Sequence, residues 1–200
     1  MKLYQIAGCP FAWRTRILLG EKQLPFDTVF FTPDARPPEL DAISPDAKSP
    51  TLVDGDVKLW ESLVINEYLE DRYPERSLLG AEPAARAQVR AAVVAVDKQL
   101  MPRYMALMGE TFFKPPGQHD QAAIEKVRAK WREGLAAYDS KLAGRRFLVG
   151  DTLSLGDVML FTPIPTVQRL TGEELPAGLD HLRAWMERME ARPAWRPVAA

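Results

Sequence analysis

The chain has 200 residues, 46% hydrophobic and 26% charged, proportions that support a buried core without cross-links. Lysine and arginine number 26 against 27 aspartates and glutamates, a net charge of -1, which gives no electrostatic basis for nucleic acid or an anionic membrane as a partner. One cysteine, Cys9, excludes an intrachain disulfide and fits a reducing compartment; one cysteine and two histidines also argue against a structural metal, so none is expected.

Residues 3–7 are an apolar strand candidate, broken by Gly8-Cys9-Pro10. Pro10 suits the first position of a helix, where its missing N–H would be unpaired anyway. A helix to about residue 23 follows, with Phe11, Trp13, Ile17 and Leu18 inward and Arg14, Arg16, Glu21 and Lys22 on a polar face. Pro25 ends it, and residues 26–31 are rich in strand formers. A proline-rich loop over 32–38 leads to a short helix near 39–43. Residues 51–53 and 57–60 flank Asp54-Gly55-Asp56, a hairpin signal. Leu63, Ile65, Tyr68 and Leu69 give helical spacing over 61–73, and Pro74 closes that segment.

Residues 75–83 read as a linker. Beyond them strand signals fade, and helices are expected over 84–108 with an interruption at Pro102, over 120–142, over 154–170 with breaks at Pro163 and Pro165, and over 179–192. The expected fold class is α/β plus all-α. A thioredoxin-like domain of order βαβ-ββα spans 1–74, and a helical-bundle domain spans 84–200. No apolar stretch of signal-peptide length follows Lys2, and no run is long enough to cross a bilayer, so the expected location is the cytoplasm.

Cys9 sits where strand meets helix. A thiol there faces the positive end of the helix dipole and unpaired N–H groups, which favour thiolate over thiol. Thiolate is the attacking form in thiol–disulfide exchange. The competing reading is a buried core cysteine. Position 12 is Ala12, so a two-cysteine redox pair is excluded and only an outside thiol can resolve a mixed disulfide on Cys9. That points to a small abundant thiol such as glutathione. Ser49-Pro50 is a candidate for a cis peptide, which would leave the Ser49 backbone N–H and C=O free for a peptide-like ligand; an ordinary strand-start proline is the alternative. Glu61-Ser62 opens a helix: Ser62 can cap it and hold a carboxylate, and Glu61 can hold an ammonium group; a plain cap is the alternative.

These elements resemble, in order and spacing, the soluble glutathione transferase superfamily. Cys9-Pro10-Phe11-Ala12 is similar to the omega-type cysteine motif, Ser49-Pro50-Thr51-Leu52-Val53 to the cis-proline segment, and Glu61-Ser62 with Ile65, Tyr68 and Leu69 to the γ-glutamyl-binding helix. Ser154 and Asp157, with Leu153 and Val158 as a hydrophobic staple, resemble the family's folding-related capping box. The resemblance implies that Cys9 is the nucleophile and that glutathione is a co-substrate. It places glutathione on Phe11, the Ser49-Pro50 backbone, Glu61 and Ser62. It also sets Arg36 against the glycyl carboxylate, for which a solvated loop arginine is the alternative. Tyr104, Met105, Met108 and Phe112 are candidates for the second-substrate wall, and core packing is their alternative. A homodimer is implied.

The expected activity is glutathione-dependent thiol transfer or disulfide reduction through Cys9 on a small electrophilic or disulfide substrate, with dehydroascorbate reduction implied as a related activity. Two rivals stand beside it. One is a glutathione-conjugating transferase, for which Tyr4 and Thr15 are the nearby hydroxyls. The other is a non-catalytic protein of the same fold that binds a protein partner.

Overall fold

The computed structural model describes residues 1–44 and 48–196. The chain divides into two compact units, Met1–Leu78 joined by the chain from Arg192 onward, and Leu79–Ala191. The segment from Arg192, which the sequence reading assigns to the helical domain, therefore packs with the first unit; residues 197–200 of that expected domain lie outside the described residues.

The first unit is built on a four-stranded sheet of order β2-β1-β3-β4. Strands β1 (Lys2–Ile6) and β2 (Asp27–Phe31) are parallel and joined by helix α1 (Pro10–Glu21); β3 (Thr51–Asp54) runs antiparallel to β1 and to β4 (Val57–Trp60). Helix α2 (Pro38–Ile43) precedes β3, and α3 (Ser62–Arg72) follows β4. The period of two along β1 separates the layers. Tyr4 packs with Phe31, Leu40 and Ile43, whereas the buried Leu3 and Leu52 are register partners on adjacent strands. Helices α1 and α3 pack on each other, and Thr15 Oγ1 donates to Asn66 Oδ1 at 3.0 Å across that buried contact.

Two charged residues, Arg14 on α1 and Lys22 just after it, depart from the expected polar face. Arg14 is fully buried, with its guanidinium over the Phe11 ring at 4.9 Å. Lys22 is buried against Glu70 at 3.1 Å and also donates to the Tyr73 carbonyl at 2.7 Å. Glu70 in turn accepts from Ser77 Oγ at 2.6 Å and from Leu78 N–H at 3.1 Å. Buried charges persist where they are paired and hydrogen-bonded, and for Lys22 the partners come from α3 and the segment after it.

The second unit is helical: α4 (Pro83–Gln99), α5 (Met101–Met108), α6 (Gln121–Leu142), α7 (Leu155–Phe161), α8 (Pro163–Thr171) and α9 (Asp180–Glu190). The interruption expected at Pro102 falls at Leu100, so that the proline stands in the first turn of α5, where its missing N–H has no helical partner to lose. Pro163 likewise opens α8 after Thr162. A π-turn over Gly109–Phe113 extends α5, a feature with no clear sequence signal. Asp120 caps α6, accepting from Ala122 N–H at 2.9 Å. No helix among the described residues is long and apolar enough to cross a membrane.

Candidate active site around Cys9

The chain reaches Cys9 through a tight turn. Cys9 N–H donates to Ile6 O at 3.1 Å, and Gly8 adopts φ 77°, the left-handed conformation that such a turn requires and glycine supplies without steric cost. Cys9 is then the N-cap of α1: its carbonyl accepts from Trp13 N–H at 3.0 Å, and Pro10 occupies the first turn. The Cys9 side chain makes no bond to that first turn. Its partner comes from the neighbouring segment instead: Sγ–H donates to the Ser49 carbonyl at 3.6 Å.

The Ser49–Pro50 peptide is cis. Ser49 Oγ accepts the Ile6 N–H at 2.9 Å, at the end of the β1–β3 ladder. The side chain thus occupies the edge of β1, and the backbone carbonyl is left for Cys9. The Ser49 N–H has no partner among the described residues. The sequence reading singled out the Ser49 backbone and missed the hydroxyl that frees it; a serine immediately before the proline is the only local signal.

Glu61, not Ser62, is the N-cap of α3, and its side chain makes no capping bond. Ser62 is the first helical residue and is buried. The correction has a backbone cause: Glu61 lies at φ 70°, so the chain enters the helix through a left-handed residue and Ser62 is already inside the first turn. Glu61 Oε1 receives Lys48 Nζ at 2.6 Å. Lys48 was not a candidate in the sequence, although it adjoins Ser49. Structure therefore links Cys9 to Ser49 directly, and links Glu61 to Lys48, the residue before Ser49.

Phe11 is half-buried in the first turn of α1, its ring covered by Arg14. Arg36 is exposed in the loop before α2, 3.9 Å from Asp41, and makes no described contact with Cys9, Ser49 or Glu61. In the helical unit Tyr104 and Met108 are buried in the core, while Met105 and Phe112 are each 47% exposed. Periodicity along α5 separates them, so the four do not share one face. The two hydroxyls considered for conjugation are engaged: Tyr4 Oη donates to Glu39 at 3.2 Å and Thr15 to Asn66. Burial raises the Tyr4 pKa above its ordinary value, which keeps the phenol protonated. Among the described residues no group of three or more histidine, cysteine, aspartate or glutamate side chains is arranged to hold a metal.

Comparison with known proteins gives the same layout. The glutathione S-transferase N-terminal domain matches residues 3–77, and the glutathione S-transferase C-terminal domain matches residues 91–193. Pyrimidodiazepine synthase of Drosophila melanogaster is 32% identical, covering 97% of this chain and 78% of its own. Glutathione S-transferase F10 of Arabidopsis thaliana is also 32% identical, covering 94% and 91%. The theta-class glutathione S-transferase of Xanthomonas axonopodis pv. citri, solved with glutathione bound, superposes with a TM-score of 0.87 at 25% identity, covering 100% of this chain and 97% of that one. With both halves matched in order over nearly its whole length, and with a thioredoxin-like unit followed by a helical one, the chain belongs to the glutathione S-transferase family.

Proposed function

We propose that the protein is a cysteine-type, omega-like glutathione transferase that reduces mixed disulfides through Cys9. The observation that carries the reading is the 3.6 Å approach of Cys9 Sγ to the Ser49 carbonyl. The one thiol of the chain touches the backbone segment on which the cysteinyl part of a glutathionyl substrate would lie. Only the neutral thiol can donate to that carbonyl.

The chemistry is a double displacement. The Cys9 thiolate attacks the glutathionyl sulfur of a mixed disulfide; the S–S bond breaks, the substrate leaves as a thiolate and takes a proton, and Cys9 carries the glutathionyl group. The thiolate of a second glutathione attacks that new bond and leaves as oxidised glutathione, returning the Cys9 thiolate. One free glutathione is consumed for each mixed disulfide, the other half of the oxidised glutathione coming from the substrate; dehydroascorbate brings no glutathionyl group, so its two-electron reduction takes two glutathiones. Glu61 binds the γ-glutamyl ammonium, Ser62 its carboxylate, the Ser49 backbone the cysteinyl amide, and Arg36 the glycyl carboxylate, with Phe11 and Pro50 shaping the site. Met105 and Phe112, the exposed members of the second-substrate set, supply apolar contact, and Tyr104 and Met108 support them from the core. The protein acts in the cytoplasm as a homodimer; Val57, Trp60 and Val64 leave apolar surface on β4 and α3 of the free chain.

Intact-mass spectrometry tests the intermediate. Oxidised glutathione should add one glutathionyl mass to Cys9, and reduced glutathione should remove it. Disulfide reductase activity should vanish in Cys9→Ala. Conjugation of an aryl halide that survives this substitution, with no reductase activity in the parent protein, would assign the conjugating reaction instead.

A further inference from the structure

The helical unit carries a concavity of about 440 Å³ edged by Arg145, Arg146, His181 and Arg188, with Leu142 and Ala184 between them. Gly144 completes the lining; at φ 68° it makes the turn after α6 that presents two consecutive arginines. We propose that this concavity binds a diphosphate group, held by the guanidinium groups of Arg145, Arg146 and Arg188.

No carboxylate lines the concavity, and among the described residues neither the three arginines nor His181 has an ion-pair partner. That is a departure from the rest of the same unit. Arg128 and Arg132 both engage Glu173, at 3.0 and 2.6 Å, and Lys130 engages Glu133 at 2.9 Å. A chain of net charge -1 has carboxylates enough to pair three arginines, yet none stands here.

Cations after a helix C-terminus can serve merely to satisfy its last carbonyls. Two of those carbonyls are already taken by backbone: Ala143 N–H donates to Ser140 O at 3.4 Å, and Arg145 N–H to Leu142 O at 2.9 Å. One guanidinium is tethered, with Arg188 Nη2 donating to the Arg146 carbonyl at 3.3 Å. Arg146 rests over the Phe147 ring, 5.5 Å from its centroid. These contacts tie α9 to the loop and limit the reorganisation that binding would cost. His181, Ala184 and Arg188 follow at i, i+3 and i+7 on α9, so one face of the helix forms the second wall. The small Ala184 leaves the space between His181 and Arg188 open.

The planar fork of arginine matches phosphate oxygens in pairs. Three such forks around one space suit an anion with several charged oxygens on linked centres better than a lone carboxylate. A volume of about 440 Å³ lies within the range of small-ligand sites. The diphosphate can be free or can belong to a nucleotide.

Isothermal titration of the full chain with inorganic pyrophosphate, and separately with ADP, tests the assignment. Saturable one-to-one binding is expected, weakened about tenfold or more by Arg145→Gln and by Arg188→Gln. Glutathione binding should be unchanged in both variants, since neither residue belongs to the site around Cys9. Equal affinity for the two probes identifies free diphosphate as the ligand, and tighter binding of ADP identifies a nucleotide. Absence of saturable binding for both probes up to millimolar concentration overturns the proposal. So does binding that neither folded variant weakens.

Discussion

Lys48 Nζ stands 2.6 Å from Glu61 Oε1, with the two side chains 45% and 52% exposed. The carboxylate proposed to hold the γ-glutamyl ammonium is thus already paired with a cation in the free protein. An ion pair this exposed contributes about 0–1 kcal/mol, so an incoming ammonium can take the place of Lys48 at small cost. Glu61→Ala and Ser62→Ala should each weaken glutathione binding by about 1.5–3 kcal/mol, the loss expected for a hydrogen bond to a charged group. Lys48→Met should change folding stability by less than about 1 kcal/mol. Calorimetry with glutathione, alongside urea unfolding, measures both. Unchanged affinity in the Glu61 and Ser62 variants would remove these residues from the site.

Asp157 makes a comparison between local and distant support possible. Its Oδ2 accepts from Ser154 N–H at 3.0 Å and Ser154 Oγ at 2.9 Å, closing the box at the start of α7. Its Oδ1 accepts from Leu148 N–H at 2.8 Å and Trp185 Nε1 at 3.0 Å. Burial pushes this carboxyl above its ordinary pKa, and the bonds from Leu148, Trp185 and Ser154 oppose the shift. Asp157→Ala should cost at least about 3 kcal/mol, because it orphans two buried donors as well as the cap. Asp157→Asn keeps one carbonyl oxygen, but its amide N–H2 then faces two donors, so it should recover only part of that cost. Equal losses in urea unfolding would mean that the buried donors contribute nothing.

What could be read from the sequence was what neighbouring residues decide. Cys9 before Pro10, Asp54-Gly55 between short apolar runs, and the spacing of Ser154 and Asp157 each specify a local geometry, and each marks an element boundary to within one residue, Asp54 closing β3 instead of opening the turn. Residues settled by distant partners were misread or missed. Lys22 looks like part of a polar face until Glu70, 48 residues along the chain, pairs with it. Glu61 looks like an available carboxylate until Lys48 arrives from the segment before β3. Ser62 looks like a cap because Ser is a preferred capping residue, but the left-handed backbone of Glu61 moves the helix start by one position. The second-substrate residues failed to group for a similar reason, since a helix face is chosen by what packs on it.

Two tyrosines give the first unit a pH dependence. Tyr68 Oη and Tyr73 Oη both donate to Asp54 Oδ2, at 2.9 and 2.6 Å. Burial pushes the Asp54 carboxyl up, but those bonds, with the N-terminal amine and Arg72, leave its pKa below the ordinary 3.8. A depressed carboxyl contributes stability that is fully present above the unfolded-state pKa, about 3.9, and is lost as pH falls through the folded value. Removing the hydroxyls should therefore destabilise more at neutral pH than in acid. Urea unfolding of Tyr68→Phe and Tyr73→Phe at about pH 7 and about pH 3 reads the difference directly. An equal loss at both would trace the effect to packing, not to the carboxylate.

Helix α1 carries Cys9 at one end and the returning chain at the other. Glu21 accepts from Arg192 Nε at 2.8 Å, Arg192 Nη2 at 2.6 Å and Trp195 Nε1 at 2.7 Å. Trp195 is fully buried in the 3-10 turn Pro193–Trp195. A Cβ on Gly20 would come within 2.8 Å of Ala194 Cβ, closer than packed carbons approach. Two effects of Gly20→Ala then oppose one another. Alanine favours the helix by about 1 kcal/mol, whereas the clash pushes the turn off α1 and exposes part of Trp195. Losing the whole Trp195 side chain should cost about 3–5 kcal/mol, so even partial displacement outweighs the helical gain, and Gly20→Ala should be destabilising. The cause can be isolated with a second change. In an Ala194→Gly background the obstructing methyl is gone, and the same Gly20→Ala substitution should become neutral or stabilising. A double-mutant cycle by urea unfolding measures that reversal of sign. If Gly20→Ala costs the same in both backgrounds, the turn does not pack on α1 through this contact.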